Sequence, residues 1–410
     1  MSKIAFFCIP ASGHTNPTIE VVRELVNRGH EVRYYSYLTY KERIESTGAK
    51  FIACDEYDCE QKLKPEDGAR VGKDMAFSIR ILTDTTLALD EMVCRDMEAF
   101  HPDCIVADSM AVWGKAAALK LNIPFVSSTT TFAFNQYSAK IMKQSFSQMW
   151  NMIISMPSIT KDIKRLQEKG YPINNVLDIM QNDNNTDTIV YTSKEFQPCA
   201  ETFSDRYSFV GPSIRKAGKA ASPNGKKNIY ISMGTVNNLL LKFYRSCIEA
   251  FGGSDYHVIM SVGQLTDITE LGEIPSNFEV YHSVDQIAVL QRTDVFISHC
   301  GMNSVNESLY YEVPLVMFPQ TAEQGGVARR VAELGAGIPL KKGNASTIRS
   351  AVKAVLEEPK YQEKAKEISE SFKASGGPVK AADAILRVAS RRRRKRQQDS
   401  RVGENENGSF

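Results

Sequence analysis

Short apolar runs alternate with amphipathic stretches along most of this chain, and no other feature constrains its fold as strongly. The first half predicts strands at residues 4–9, 31–37, 51–54, 104–107 and 125–128, separated by helices at 17–27, 75–100 and 113–121. Such alternation is typical of parallel strands with helices on both faces of the sheet. We therefore predict an α/β fold built on doubly wound, Rossmann-like sheets.

The second half of the chain repeats this alternation, with strands predicted at 229–232, 257–260, 278–281, 295–298 and 315–318. Between the halves, residues 213–227 are dense in Lys, Gly, Ala, Ser and Pro, as linkers are. A chain of 410 residues is long enough for two domains. We predict an N-terminal domain at 1–212, a linker at 213–227 and a C-terminal domain at 228–388, with the two domains facing each other across a cleft.

Composition excludes several classes of protein. The chain is 42% hydrophobic and 24% charged, which is typical of a soluble globular protein. Its apolar runs are too short to span a bilayer, so we expect no integral membrane segment. Its eight cysteines form no Cys-x-x-Cys pair, which favours reduced core cysteines and a cytoplasmic location.

The C-terminal segment 389–410 differs in charge from the rest of the chain. Residues 391–410 hold seven Lys or Arg against three Asp or Glu, in a chain whose formal net charge is +2. We predict a basic, disordered and solvated tail, in preference to a tail that binds nucleic acid or an anionic membrane. Because the remaining chain is not basic, we expect no nucleic-acid partner.

The motif at the fourth strand of the C-terminal domain is the most informative. It predicts a buried strand, a tight turn at Gly301 and a helix opened by Asn303 and Ser304. A helix that begins just after a strand presents unpaired N–H groups and about half a positive charge, which suits a phosphate. His299 adds a side-chain donor, and Glu307, one turn further on, could accept hydrogen bonds from ribose hydroxyls.

Polar turns follow other strands of the same domain. In open parallel sheets, ligands bind beyond the carboxyl ends of the strands. Gly234 and Thr235 follow the first strand and suit a phosphate, while the backbone of Val284 follows the third strand and could pair with a base edge. Glu323 and Gln324 follow the last strand and could bind a polyol such as a sugar.

In the N-terminal domain, His14 follows the first strand and Asp108 follows the fourth. Both belong at one edge of the sheet. A carboxylate bound to one imidazole nitrogen fixes the tautomer and leaves the other nitrogen to take a proton. No nucleophilic Ser or Cys motif accompanies them, so we expect the base to activate a substrate hydroxyl.

Five motifs occur in a characteristic order. They are Gly-His-Thr-Asn-Pro at 13–17, Ser-Met-Gly-Thr at 232–235, Val-Asp-Gln at 284–286, His-Cys-Gly-Met-Asn-Ser at 299–304 with Glu307, and Glu-Gln at 323–324. In these motifs the chain resembles the UDP-sugar-dependent glycosyltransferases, most closely the bacterial macrolide and natural-product glucosyltransferases related to plant secondary-metabolite enzymes. The resemblance covers residues 1 to about 388.

This resemblance implies a two-domain glycosyltransferase B (GT-B) fold. It implies an inverting, metal-independent transfer of a sugar, most typically glucose, from a UDP-sugar co-substrate to a hydroxyl, without a cofactor. It also implies roles for individual residues: His14 as the base, Asp108 as its partner, His299, Gly301, Asn303 and Ser304 at the diphosphate, Glu307 at the ribose, Glu323 and Gln324 at the sugar, and Gly234, Thr235, Val284 and Gln286 elsewhere in the donor site.

Two residues depart from the family pattern. Ser283 stands where the family often has an aromatic residue stacked on uracil, and Asp285 stands where Pro is usual. The resemblance therefore supports phosphate binding more strongly than it supports uridine.

The acceptor is expected to be apolar. Residues 134–186 are rich in Met, Gln and aromatics, with helical spacing at 142, 146, 149, 150 and 153. Such a stripe is more often core, but these side chains also line adaptable apolar pockets. We expect a hydrophobic hydroxylated small molecule such as a macrolide, a flavonoid or another phenol.

Other classes of function also use doubly wound domains. A nicotinamide or flavin oxidoreductase needs Gly-x-Gly-x-x-Gly after the first strand, whereas that turn holds the single glycine Gly13. The sequence leaves open a non-catalytic nucleotide-sugar-binding protein, and an assay for UDP release would distinguish it from an enzyme. The sequence also leaves open a sugar-nucleotide epimerase on the same fold, which would consume UDP-N-acetylglucosamine without an acceptor.

Overall fold

The computed structural model describes residues 1–56, 74–135, 137–138, 146–180, 184–214, 225–235 and 238–407. The chain forms two compact units. Unit 1 comprises Met1–Tyr191, Cys199–Ser213 and Gly376–Phe410, and unit 2 comprises Thr192–Pro198 and Ile214–Ser375. Residues 215–224 of the predicted linker lie outside the described residues, as do Met142 and the side chains of the rest of the predicted apolar stripe.

Unit 1 contains a seven-stranded sheet in the order β3-β2-β1-β4-β5-β6-β7, with every neighbouring pair parallel. Its strands are β1 (Lys3–Phe7), β2 (Glu31–Ser36), β3 (Lys50–Ala53), β4 (Cys104–Asp108), β5 (Phe125–Thr129), β6 (Asp187–Val190) and β7 (Tyr207–Phe209). Among its described residues before β6, the helices are α1 (Ser12–Asn27), α2 (Lys41–Glu45), α3 (Met75–Phe100), α4 (Val112–Lys120), α5 (Phe146–Glu168) and α6 (Val176–Met180).

The central strands of this sheet are apolar because both faces are covered. Along β1, Ile4 and Phe6 pack into one core cluster with α1, while Ala5 and Phe7 pack into another with α3 and α4. Strands buried on both faces read as continuous apolar runs, which is why the sequence marks them clearly.

The strand order of unit 1 reverses between β1 and β4. From β1 the chain builds β2 and β3 on one side, and from β4 it builds the remaining strands on the other side. Helices on either side of such a switch point diverge and leave a crevice at the carboxyl ends of the strands. His14 lies just after β1 and Asp108 ends β4, so both belong to this switch point.

Unit 2 contains a six-stranded parallel sheet in the order β10-β9-β8-β11-β12-β13. Its strands are β8 (Asn228–Ser232), β9 (His257–Ser261), β10 (Phe278–Tyr281), β11 (Val295–Ser298), β12 (Leu315–Met317) and β13 (Gly337–Pro339). Its helices are α7 (Leu241–Phe251), α8 (Gln286–Leu290), α9 (Met302–Tyr310), α10 (Ala322–Glu333), α11 (Ala345–Glu357) and α12 (Pro359–Ala374).

The order of this sheet reverses between β8 and β11. Gly234 follows β8, and His299 and Gly301 follow β11, so these three residues share the second switch point. The predicted fold class, with two doubly wound parallel sheets, is confirmed. Among the described residues, no helix combines the length and the apolar character needed to cross a membrane.

The C-terminal end of the chain differs from its prediction. A last helix, α13 (Gly377–Asn407), belongs to unit 1, so the C-terminal domain ends near Ser375 and not at 388. The cause is apolar packing, since Ala381, Ile385 and Val388 join the core cluster that covers one face of the unit 1 sheet.

The basic segment predicted to be disordered continues this helix to Asn407. Its first two arginines are held by unit 1. The Arg391 guanidinium lies 2.7 Å from the Asp187 carboxylate, and Arg392 donates to the carbonyl of Pro102 at 2.8 Å. These two contacts attach the start of the basic segment to unit 1.

Docking of α13 can be tested with Ile385→Ala. Ile385 is fully buried, so we expect unit 1 to lose about 2–5 kcal/mol of unfolding free energy. Val379→Ala on the same helix is the control, because Val379 is 48% exposed and its loss should cost about 0.5 kcal/mol or less. Both tryptophans, Trp113 and Trp150, belong to unit 1, so their fluorescence during urea unfolding reports this unit. Equal effects of the two substitutions would contradict the docking.

Candidate functional site

The switch point of unit 1 brings His14 and Asp108 together as the sequence predicts. His14 lies in the first turn of α1, and its Nδ1 lies 2.8 Å from Oδ2 of Asp108. The Asp108 carboxylate is fully buried, and its Oδ1 accepts the backbone N–H of Met110 at 2.9 Å. The carboxylate is therefore oriented by the turn after β4, and it in turn orients the imidazole.

This pair has the arrangement of a general base. A carboxylate only accepts hydrogen bonds, so the proton of the neutral imidazole lies on Nδ1 and the lone pair on Nε2. The buried carboxylate stabilises the imidazolium that forms when Nε2 takes a proton. About a quarter of the His14 side chain is exposed to solvent, so a ligand can approach it.

Thr130 is a third member of this cluster that the sequence analysis missed. Its Oγ1 lies 3.2 Å from Nδ1 of His14, and its side chain is buried. It directly follows β5, the neighbour of β4 in the sheet. Inspecting the first residue after every strand near the switch point would have identified it.

The switch point of unit 2 combines a histidine with two glycines. A Cβ atom at either Gly234 or Gly301 would lie 2.6 Å from Nε2 of His299, which is closer than real Cβ contacts. Gly234 also has φ +81°, a conformation that favours glycine. The missing side chains therefore leave room for the imidazole ring, which packs against both backbone segments.

His299 is a neutral imidazole near neutral pH. Burial lowers its pKa to about 4, and a hydrogen bond with the backbone of Ser232 opposes this only in part. Its Nδ1 is shielded from solvent and has no hydrogen-bond partner among the described residues. An imidazolium here would bury an unpaired N–H, which is a second reason for the low pKa.

Helix α9 begins at the same point. Gly301 is its N-cap and makes no side-chain capping hydrogen bond, and the first N–H groups of any helix lack partners within the helix itself. Cys300 precedes it with φ 66°, which turns the chain sharply between β11 and α9. Burial raises the pKa of the Cys300 thiol, so this cysteine is not a nucleophile.

Three further predicted residues form one hydrogen-bonded group. The Gln286 amide donates from Nε2 to Glu307 Oε2 at 2.5 Å and to Ser304 Oγ at 3.3 Å. Its Oε1 accepts the phenol of Tyr230 at 3.2 Å, a contact that the sequence analysis missed. Since Tyr230 lies within an apolar strand, no sequence pattern distinguishes it from a core residue.

The remaining predicted residues lie on separate loops at the same sheet edge. Thr235 and Glu323 are exposed, and Val284 is partly buried in the loop after β10. Thr321 caps α10 by accepting the backbone N–H of Gln324, and Oε1 of Gln324 accepts the backbone N–H of Gln320 at 2.8 Å. Asp285, one of the two departures from the family pattern, accepts the N–H of Ala288 and so caps α8.

The described residues hold no group of three or more His, Cys, Asp or Glu side chains that could bind a metal ion.

Several known proteins are similar to this chain. Residues 245–388 match the family described as erythromycin biosynthesis protein CIII-like, C-terminal domain. Over 404 residues the chain is 34% identical to the uncharacterized UDP-glucosyltransferase YojK of Bacillus subtilis, covering 96% of this chain and 98% of that protein. It is 27% identical to the oleandomycin glycosyltransferase of Streptomyces antibioticus, covering 94% and 90%. The crystal structure of the glycotransferase of kitacinnamycin aligns with a TM-score of 0.82 at 26% identity, covering 94% and 98%.

The environment of His299 predicts a specific pH dependence. Because its folded pKa of about 4 lies below the ordinary 6.5, the unfolded chain binds more protons as pH falls through that window. Lowering pH from 7 to 5 should therefore cost the wild type about 2 kcal/mol more unfolding free energy than it costs His299→Gln. Urea unfolding at both pH values measures this difference. An NMR titration midpoint near 6.5 for the His299 ring would refute it.

Proposed function

Since the chain belongs to the natural-product glycosyltransferases with a GT-B fold, we propose that it transfers glucose from UDP-glucose to a hydroxyl of an apolar small molecule. We propose further that the transfer inverts the anomeric configuration and needs no metal ion. The observation that carries this proposal is the pairing of His14 with the buried Asp108 at the switch point of unit 1.

In this proposal unit 2 binds the donor. The diphosphate accepts hydrogen bonds from the first turn of α9, where Asn303 and Ser304 lie, and occupies the space beside Gly234, Gly301 and His299. Negative charge that develops on the leaving diphosphate is stabilised by these fixed N–H groups and by the helix dipole. A bound diphosphate also favours the protonated form of His299.

The other donor groups contact the loops at the same edge. Glu307 accepts hydrogen bonds from the ribose hydroxyls, and the backbone of Val284 meets the edge of the base. Glu323 and Gln324 bind sugar hydroxyls at the start of α10, and Thr235 contributes to the diphosphate site. We propose glucose because the chain is 34% identical to a protein named as a UDP-glucosyltransferase.

Unit 1 supplies the base. Nε2 of His14 takes the proton of the acceptor hydroxyl as its oxygen forms a bond to the anomeric carbon and the bond from that carbon to the diphosphate oxygen breaks. The attack comes from the side opposite the leaving UDP, so a single displacement inverts the anomeric centre. Asp108 stabilises the imidazolium until the proton passes to solvent.

The acceptor is proposed to be an apolar hydroxylated molecule. Support comes from the similar protein whose name identifies it as an oleandomycin glycosyltransferase. The Met- and aromatic-rich composition of residues 134–186 also favours such an acceptor.

The proposal is tested by incubating the protein with UDP-glucose and a panel of macrolide and phenolic acceptors, with and without EDTA. We expect a glucoside with the β configuration, formed equally with EDTA, because UDP-glucose carries an α linkage. His14→Ala should lower kcat by about 10²–10⁴-fold, since it removes the base. An α product would contradict inversion, and loss of activity with EDTA would contradict metal independence.

The affinity of His14→Ala for UDP tests whether the proposed base and the proposed donor site belong to different units. His14→Ala should bind UDP within about twofold of the wild type by isothermal titration calorimetry, because the donor site lies in unit 2. Full activity in His14→Ala would remove this residue from its proposed role. Turnover of UDP-N-acetylglucosamine without any acceptor would instead favour a sugar-nucleotide epimerase.

Gly234→Ala tests the diphosphate site. The new methyl would collide with the His299 imidazole and displace it from its place beside the proposed diphosphate site, so we expect UDP affinity to fall at least about tenfold. Gly253→Ala is the matched control in unit 2. Gly253 also has a positive φ of 68°, but a methyl there meets nothing within 4 Å. Equal UDP affinities in the two variants would place the diphosphate elsewhere.

A further inference from the structure

Tyr230 connects the core of unit 2 to the residues proposed to bind the donor. Its side chain is 2% exposed and stacks on Phe296, with ring centroids 4.6 Å apart and 18° between the ring planes. The two residues face each other in register on β8 and β11. The aromatic ring is therefore held by the strand that carries it and by its neighbour at the switch point.

The phenol of Tyr230 is directed at Gln286. It donates to Oε1 of Gln286 at 3.2 Å. Burial raises the pKa of Tyr230, and the charge of nearby Glu307 adds to this effect, so the phenol keeps its proton. A protonated phenol with this geometry selects one orientation of the amide, with Oε1 toward the core.

The opposite end of the same amide faces α9. Gln286 Nε2 lies 2.5 Å from Glu307 Oε2 and 3.3 Å from Ser304 Oγ. Ser304 and Glu307 are three residues apart and so share one face of the helix. Because the carboxylate can only accept, Nε2 and not Oε1 must face it, which agrees with the orientation selected by Tyr230. Both N–H hydrogens of Gln286 are thus used within the protein.

We propose that Tyr230 and Gln286 are positioning residues for Glu307, and that they act on recognition of the ribose and not of the diphosphate. This inference rests on the proposed function, which assigns Glu307 to the ribose hydroxyls. Tyr230 holds the amide of Gln286, and Gln286 holds the carboxylate of Glu307 in one rotamer before the donor arrives. A preorganised carboxylate binds the two hydroxyls without first losing side-chain freedom.

The position of Gln286 in a short helix makes its contact with Tyr230 important. Gln286 is the first residue of α8, which has only five residues and is capped by Asp285. A helix this short has little intrinsic stability, so contacts with the rigid strands fix its first residue. The phenol of Tyr230 supplies that contact from β8.

The test uses Tyr230→Phe with Tyr244→Phe as the matched control. Both tyrosines are buried in unit 2, and both changes remove one hydroxyl while keeping the ring. Tyr244 donates to the carbonyl of Val262 at 3.4 Å and does not touch the Gln286 group. Isothermal titration calorimetry measures binding of UDP and of 2′,3′-dideoxyuridine diphosphate to each variant.

We expect Tyr230→Phe to weaken UDP binding by about threefold to tenfold, as loss of one buried hydrogen bond implies. Its affinity for the dideoxy ligand should equal that of the wild type, since that ligand has no hydroxyls for Glu307. Tyr244→Phe should match the wild type with both ligands. Gln286→Met, which keeps the length of the side chain without the amide, should reproduce the Tyr230→Phe pattern. The KM for UDP-glucose should rise by the same factor while kcat stays within about twofold.

Two results would overturn the inference. One is wild-type affinity of Tyr230→Phe and Gln286→Met for UDP, while Glu307→Gln binds UDP more weakly. The other is an equal loss of affinity for both ligands, which would indicate general damage to the site. Failure of the wild type to bind UDP is a different outcome: it would remove the proposed donor site, and this inference with it.

Discussion

Every neighbouring pair of strands in both sheets is parallel, and the positions of all the functional groups depend on this constraint. Parallel strands begin at one edge of a sheet and end at the other, so every loop after a strand lies on the same edge. Where the strand order reverses, the helices diverge and expose the backbone. Unit 1 places an imidazole–carboxylate pair at that point, and unit 2 places a helix N-terminus flanked by glycines there.

His14 and His299, which lie at the two switch points, have opposite environments and therefore different chemistry. His14 lies against the buried carboxylate of Asp108, which stabilises the imidazolium and suits a residue that takes up a proton. His299 lies against bare backbone at Gly234 and Gly301, and burial lowers its pKa to about 4. The same residue type thus suits proton transfer in unit 1. In unit 2 it is a neutral imidazole beside the proposed anion site, and binding of an anion favours its protonated form.

Much of the fold could be predicted because buried parallel strands are apolar along their whole length. Strands β10 and β11 match their predicted bounds, and the long helix α3 does as well. Strand β13 was missed, since its three residues Gly337–Pro339 carry no apolar alternation and join the sheet only by pairing with β12. The end of the C-terminal domain was placed too late, because an amphipathic helix indicates that it packs but not on which unit.

The candidate site, too, was only partly predictable from the sequence. His14, Asp108, Gly234, His299 and Gly301 could be found from sequence, because each follows a strand and has a side chain, or lacks one, with an obvious chemical use. Thr130, the first residue after β5, was overlooked although its position could have been inspected. Tyr230 could not be found, since its role depends on which strands are neighbours and which atoms then meet.

By itself, the amino-acid sequence determined the two parallel sheets, the polar turns at their edges and the residue types that those turns carry. Periodicity and local backbone preferences are properties of neighbouring residues, so they can be read along the chain. Only the tertiary structure decided that α13 returns to unit 1, that Thr130 contacts His14 and that the Gln286 amide links Tyr230 to Glu307. These contacts join residues distant in sequence, and their geometry follows from strand order and packing.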